Sequence, residues 1–194
     1  MTDSMGLSGA DAVCGIVPMF HVMGWGIPWS ALMLGCKQVL PHRFMNPERL
    51  VRLMADEKVT LSAGVPTIWQ GVKSAIEANP DAYDLSSLER LTCGGSAPPP
   101  SLIRWYWDVL GVEMIQGWGM TETSPLATLS RRVMKRDHLD MTLDQQFDNV
   151  AKAGQIIPGL ELDIFDEEFN RVPHDGESVG EILVRGPWIC SEYF

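Results

Sequence analysis

Residues 116–125 read Gln-Gly-Trp-Gly-Met-Thr-Glu-Thr-Ser-Pro. Thr121 and Glu122 set a hydroxyl beside a carboxylate, hard oxygen donors suited to a phosphate and to magnesium. Trp118 offers a flat face for a base, and the glycines at 117 and 119 let backbone come close to a ligand. That is the chemistry of a nucleotide site. A second glycine pair lies about one helix-length upstream, in Cys93-Gly94-Gly95-Ser96-Ala97-Pro98, and a third turn, Pro18-Met19-Phe20-His21, lies further back.

These turns need a frame, and the chain alternates short β-rich runs with helical patterns, which predicts a sheet with helices packed on its faces. Strands are expected over 13–17, 38–40, 59–62, 89–92 and 112–115. Asn46-Pro47-Glu48 supplies an N-cap and a first-turn proline for a helix whose Leu50, Val51 and Met54 share one face. Pro66-Thr67 opens a second, through Ile68, Trp69 and Val72. Pro98 to Pro100 open a third, carrying Leu102, Ile103 and Tyr106; first-turn amides have no intrahelical acceptor, so proline is tolerated there. Each turn of interest follows a strand. Ligands of open α/β sheets collect beyond the carboxyl ends of the strands, so His21, Gly64-Val65-Pro66, Gly94-Gly95 and Gly117 to Gly119 are expected on one rim.

Composition bounds the alternatives. The chain has 194 residues, 45% hydrophobic and 21% charged, enough for one sizeable core. A net charge of −10 argues against a nucleic-acid partner, while a small nucleotide needs only local donors. Cys14, Cys36, Cys93 and Cys190 show no metal-ligand spacing, and a reducing, cytoplasmic setting fits them best. No secretory signal is evident at the N-terminus. Residues 13–35 are the most apolar stretch, but Pro18, Pro28 and His21 interrupt it; a buried strand, a turn and a buried helix are expected in place of a membrane span.

Taken together, Pro18-Met19-Phe20-His21, residues 59–67 (Val-Thr-Leu-Ser-Ala-Gly-Val-Pro-Thr), Gly94-Gly95-Ser96-Ala97-Pro98, residues 116–125 and residues 180–186 (Gly-Glu-Ile-Leu-Val-Arg-Gly) stand in the order found in adenylate-forming acyl-CoA synthetases. The chain especially resembles the bacterial medium- and long-chain fatty acyl-CoA ligases. The resemblance implies an internal fragment of the large N-terminal domain: an α/β sheet-and-helix subdomain over 1–130 with the acyl and adenylate site, a charged surface excursion over 131–153, and the start of a small β-barrel-like subdomain over 154–194. It implies a two-step reaction in which a carboxylate attacks the α-phosphate of ATP, releasing pyrophosphate, and the thiol of coenzyme A then displaces AMP. ATP, Mg²⁺ and coenzyme A are the implied cofactors, and a fatty acid is the implied substrate. A homodimer of the full-length protein is compatible with it, while a peripheral membrane association rests only on the apolar run over 13–35.

By the same resemblance, Gly94, Gly95, Ser96 and Ala97 form the wall against adenine and the acyl head. Gln116, Gly117, Trp118, Gly119 and Met120 form the base-stacking turn. Thr121 meets the phosphate, Glu122 holds magnesium, and His21 stands beside the reacting carboxylate. Trp25 gates the acyl tunnel, with Gly24, Gly26, Val65 and Trp69 lining or adjoining it. Each has a structural rival. Trp118, Trp25 and Trp69 could be packing aromatics, Glu122 a first-turn helix carboxylate, His21 a hydrogen-bonded core residue, and Gly94-Gly95 a plain strand-to-helix turn. The family's Ser/Thr/Gly-rich phosphate loop, ribose-binding aspartate, hinge and C-terminal lysine have no counterpart in these residues, so the fragment alone is expected to be inactive. The alternatives are a non-catalytic acyl- or nucleotide-binding remnant and a ligase for another carboxylic acid.

Overall fold

The computed structural model describes residues 2–43 and 45–194. In chain order the elements are α1 (Thr2–Met5), β1 (Ala12–Gly15), α2 (Val22–Trp25), α3 (Ile27–Leu34), β2 (Lys37–Val39), α4 (Pro47–Asp56), β3 (Leu61–Gly64), α5 (Pro66–Ala78), β4 (Arg90–Cys93), α6 (Pro100–Leu110), β5 (Glu113–Gly119), β6 (Leu126–Ser130), α7 (Leu143–Val150), β7 (Gln155–Ile156), β8 (Glu161–Phe165) and β9 (Glu181–Arg185). Two 3₁₀ turns, Thr121–Thr123 and Arg136–Asp140, interrupt the later part.

Seven strands form one sheet in the order β2-β1-β3-β4-β5-β6-β7. The first five pair in parallel and the last two antiparallel. The chain leaves β1 for β2 on one side and then returns to β3 on the other, so the winding reverses at β1. Such a reversal opens a crevice at the carboxyl ends of the strands. The expected strands are present, displaced by one or two residues, with one correction that matters for the site. Residues 116–119, expected as a turn, continue β5, and the turn itself begins at Met120.

The helices follow from local signals. Asn46 Oδ1 accepts from Arg49 N at 3.0 Å, Pro47 starts α4, and Leu50, Val51, Met54 and Ala55 are buried. Helix α6 stops at Gly111: its N–H donates to Trp107 O at 2.9 Å, and its φ of 69° turns the chain so that Val112 N donates to Tyr106 O at 3.1 Å. Thr142 and Gln145 cap α7 reciprocally. That helix lies in the charged segment after residue 130, yet Phe147 and Val150 join the main core. Helix α3 departs from the expected buried helix: Ile27 and Ala31 are buried, while Trp29, Leu32 and Met33 are exposed. It sits over one edge of the sheet, where only one side of an apolar helix finds a partner.

Two polar networks tie the sheet to its surroundings. Tyr106 Oη donates to Trp69 O at 2.8 Å, and Trp69 Nε1 donates to Thr92 O at 3.1 Å, joining α6, α5 and β4 inside the core. On the opposite side, buried Asp11 receives Ser8 N at 2.8 Å and the Thr60 hydroxyl at 2.6 Å, and pairs with Arg90. Burial by itself would raise the Asp11 carboxyl; those hydrogen bonds and the Arg90 charge outweigh it and hold the carboxyl below its ordinary value. Arg90 also donates to Met5 O and Gly6 O at 2.9 and 2.7 Å, which fixes Met5 against the sheet. Beyond β7, β8 and β9 form a separate antiparallel pair in which Glu161 faces Arg185. No helix among the described residues is long and apolar enough to cross a membrane.

Candidate active site

A cavity of about 340 Å³ opens at the carboxyl ends of β4 and β5. Backbone of Gly94, Gly95, Gly117 and Gly119 forms one wall. Two of these glycines are required by close approach. A Cβ on Gly119 would stand 1.8 Å from Pro125 O, and one on Gly94 would stand 3.0 Å from Gly117 O and 3.1 Å from the Trp25 ring. Thr121, Glu122 and Met120 form the rim. They sit in the 3₁₀ turn that leaves β5, held by Thr123, whose hydroxyl accepts from Met120 N at 2.9 Å.

The segment after β1 closes the opposite side. His21 and Trp25 line the cavity with ring centroids 6.4 Å apart. Here Val22, Gly24, Trp25 and Gly26 all have positive φ, from 40° to 70°. A β-branched residue is a steric outlier in that region, so Val22 marks strain at the start of α2, at the cavity mouth.

The structure therefore brings His21, Trp25, Gly94, Gly95, Gly117, Gly119, Met120, Thr121 and Glu122 to one cavity. The remaining candidates lie elsewhere. Trp69 is fully buried under Gly64 and bonded to Thr92 O, a core position. Val65 packs behind Gly95, where a Cβ on the glycine would meet it at 3.3 Å. Gly26 lines a neighbouring hollow with Ser124 and Trp188. Ser96 and Ala97 are exposed and outside the lining. Trp118 is half-buried in β5, paired with Thr128 across to β6, and outside the lining as well. Gln116 is buried, and its Oε1 has no hydrogen-bond partner among the described residues.

Pro125, the last residue of the 116–125 run, also lines the cavity, as do Met5, Thr92, Leu126 and Tyr193, which no local pattern singled out. Thr92 was readable only as part of a strand. Tyr193 comes from the far end of the chain, and its hydroxyl donates to Glu122 Oε1 at 2.7 Å. That bond, with the residue's own backbone N–H, holds the Glu122 carboxyl below its ordinary range, while the Glu122 carboxylate raises the Tyr193 phenol.

The AMP-binding enzyme family matches the chain over residues 1–194. A medium-chain fatty acid–CoA ligase from Ectopseudomonas oleovorans is 41% identical over 194 residues, covering all of this chain and 35% of the relative. A 3-methylmercaptopropionyl-CoA ligase from Ruegeria lacuscaerulensis is 41% identical over 192 residues, again with 35% of the relative covered. Among solved structures, a long-chain fatty-acid–CoA ligase from Archaeoglobus fulgidus superposes with a TM-score of 0.79 at 25% identity, over 96% of this chain and 36% of that one. The chain thus spans about a third of the length of these proteins.

Proposed function

This chain belongs to the AMP-binding enzyme family, and from that premise we propose that it is the nucleotide- and acyl-binding portion of an ATP-dependent fatty acid–coenzyme A ligase. The observation that carries the reading is the meeting of Thr121 and Glu122 with His21 and Trp25 around one glycine-walled cavity, although the two pairs lie far apart in sequence. A mixed lining of this kind suits a substrate with a phosphate at one end and a hydrocarbon at the other. Met5, Val22, Trp25 and Leu126 supply its apolar part.

In the proposed reaction a carboxylate oxygen of the acid bonds to the α-phosphorus of ATP and pyrophosphate leaves. The thiol of coenzyme A, losing its proton, then bonds to the acyl carbon and AMP leaves. The glycine backbone that follows β4 and ends β5 accommodates the nucleotide, with Trp118 at the margin of the base site. The Thr121 hydroxyl donates to a phosphate oxygen. His21 donates to the acid's carboxylate, steadying it for attack, and Trp25 packs on the first carbons of the acyl chain.

Magnesium fits this donor set on one condition. Among the described residues no cluster of three or more His, Cys, Asp or Glu could hold a metal, so phosphate and water must complete the shell. Mg²⁺ commonly takes one or two protein carboxylates beside phosphate and water, and Glu122 with the Thr121 oxygen supplies that share. When bound, the ion would offset charge on the phosphoryl oxygens.

Replacing Glu122 by Ala in the full-length protein should lower ATP–pyrophosphate exchange by about 10²-fold or more, in line with the loss of one preorganised electrostatic contact. Exchange at the parent rate would remove Glu122 from the mechanism. A second reading, a ligase for another carboxylic acid, is favoured by the equal identity to a 3-methylmercaptopropionyl-CoA ligase. Exchange measured with acids of graded length separates the two. Cys14, Cys36, Cys93 and Cys190 are free thiols, which suits a cytoplasmic enzyme.

A further inference from the structure

Residues 186–194 cross the Thr121–Thr123 turn and are fastened to it at three points. Cys190 N donates to Glu122 O at 2.8 Å. Ser124 Oγ donates to Trp188 O at 2.9 Å. Tyr193 Oη donates to Glu122 Oε1 at 2.7 Å, across a sequence separation of 71 residues. The strap is anchored at its base, because Trp188 packs on Gly159 so closely that a Cβ there would lie 2.7 Å from the ring.

Tyr193 has little packing role. It is 70% exposed, and its ring lines the cavity beside the carboxylate it contacts. A glutamate in a short turn at a cavity rim loses side-chain freedom when it is fixed on a ligand. A phenol moves about two torsions and stays rigid beyond them, so a donor delivered by Tyr193 limits that freedom in advance. A carboxylate offers about four lone-pair sites, so one bond from Tyr193 leaves acceptor capacity for a cation.

We propose that Tyr193 is a positioning residue that orients the Glu122 carboxylate toward the cation accompanying the nucleotide phosphates. The inference rests on the assignment of Glu122 made under Proposed function. Its test is ATP binding by calorimetry to the full-length protein, with Mg²⁺ and separately with EDTA, for the parent, Tyr193→Phe, Glu122→Ala and the double variant.

Tyr193→Phe should weaken binding roughly fivefold in magnesium, the scale of one exposed hydrogen bond to a charged group, and leave binding in EDTA unchanged. The double variant should bind no more weakly than Glu122→Ala alone, because the two residues act through one contact. Unchanged affinity of Tyr193→Phe in magnesium, an equal loss in EDTA, or additive losses in the double variant would each overturn the positioning role while the Glu122 assignment stands. If Glu122→Ala itself binds ATP and magnesium like the parent, both readings fall. An unaltered denaturant midpoint for Tyr193→Phe, expected from its exposure, separates these outcomes from unfolding.

Discussion

On one face of the sheet, α4, α5, α6 and α7 close a continuous core around Trp69 and Tyr106, whereas on the other face α3 contributes Ile27 and Ala31 and leaves Leu32 and Met33 in solvent. The cavity opens on this second, sparsely covered face, against Met5, Thr92 and Leu126. Substrate sites need space and mobile neighbours, and a face packed at the density of a core has neither to spare. The covered face holds the strands still, and the open face works with what projects from their ends.

That division can be broken most forcefully at Trp69. Truncation to Ala removes a ring with no exposed surface and its bond to β4, and should cost about 3–5 kcal/mol in a denaturant titration. A loss below about 1 kcal/mol would mean the covered face is not the stabilising one.

A chemical probe reads the same contrast. Burial pushes the Cys93 thiol up to about 12 and the Cys14 thiol to about 11, both from 9.0. At pH 8 the shift alone leaves Cys93 about a thousandfold less thiolate than an unshifted thiol would hold. Iodoacetamide should therefore modify exposed Cys190 in the native chain and reach Cys93 only on unfolding, as peptide mass mapping would record. Labelling of Cys93 at the rate of Cys190 would show the core to be open. Between pH 9 and the raised values the folded state binds more protons than the unfolded one, so these thiols lower stability as pH rises through that window.

Tyr106→Phe deletes only the hydroxyl that donates to Trp69 O and should cost about 1 kcal/mol by thermal or chemical unfolding, with no change of fold. A cost as large as that of Trp69→Ala would show the relay from α6 through α5 to β4 to be cooperative. Smallest of all, Met33→Gln on exposed α3 should stay within about 0.5 kcal/mol of the parent in the same assay, and a loss above about 2 kcal/mol would show that this face is packed after all.

The covered face was also the more legible in sequence. Asn46-Pro47, Pro66 and Pro100 mark helix starts, and Leu50, Trp69 and Tyr106 fall on the inward sides that helical spacing predicts, because caps and apolar period act within a few residues. The antiparallel β6 and β7 were not expected, since strand direction depends on partners and register. Solvent exposure along α3 was hidden for a related reason: hydropathy records which residues prefer burial, whereas only the packing decides which obtain it. In the site, Gly94, Gly95, Gly117 and Gly119 were readable because close backbone approach demands glycine. Met5 and Tyr193 were not, for each reaches the cavity by tertiary placement. Residues 116–119 read as a turn because two glycines flank a tryptophan, and pairing with β6 makes them strand.

The lining of the cavity runs from Met5 to Tyr193, nearly the whole length of the chain. A form in which Met5 or Tyr193 has come away from the sheet therefore lacks part of the lining, and a molecule that touches both favours the form in which both are seated. Such a ligand acts as a clasp. By mass action it stabilises the complete fold by RT ln(1 + [L]/Kd), about 2.7 kcal/mol at a hundredfold excess over Kd. Occupancy and folding are in this way linked, and on the function proposed above resistance to a protease should rise with the concentration of nucleotide around it.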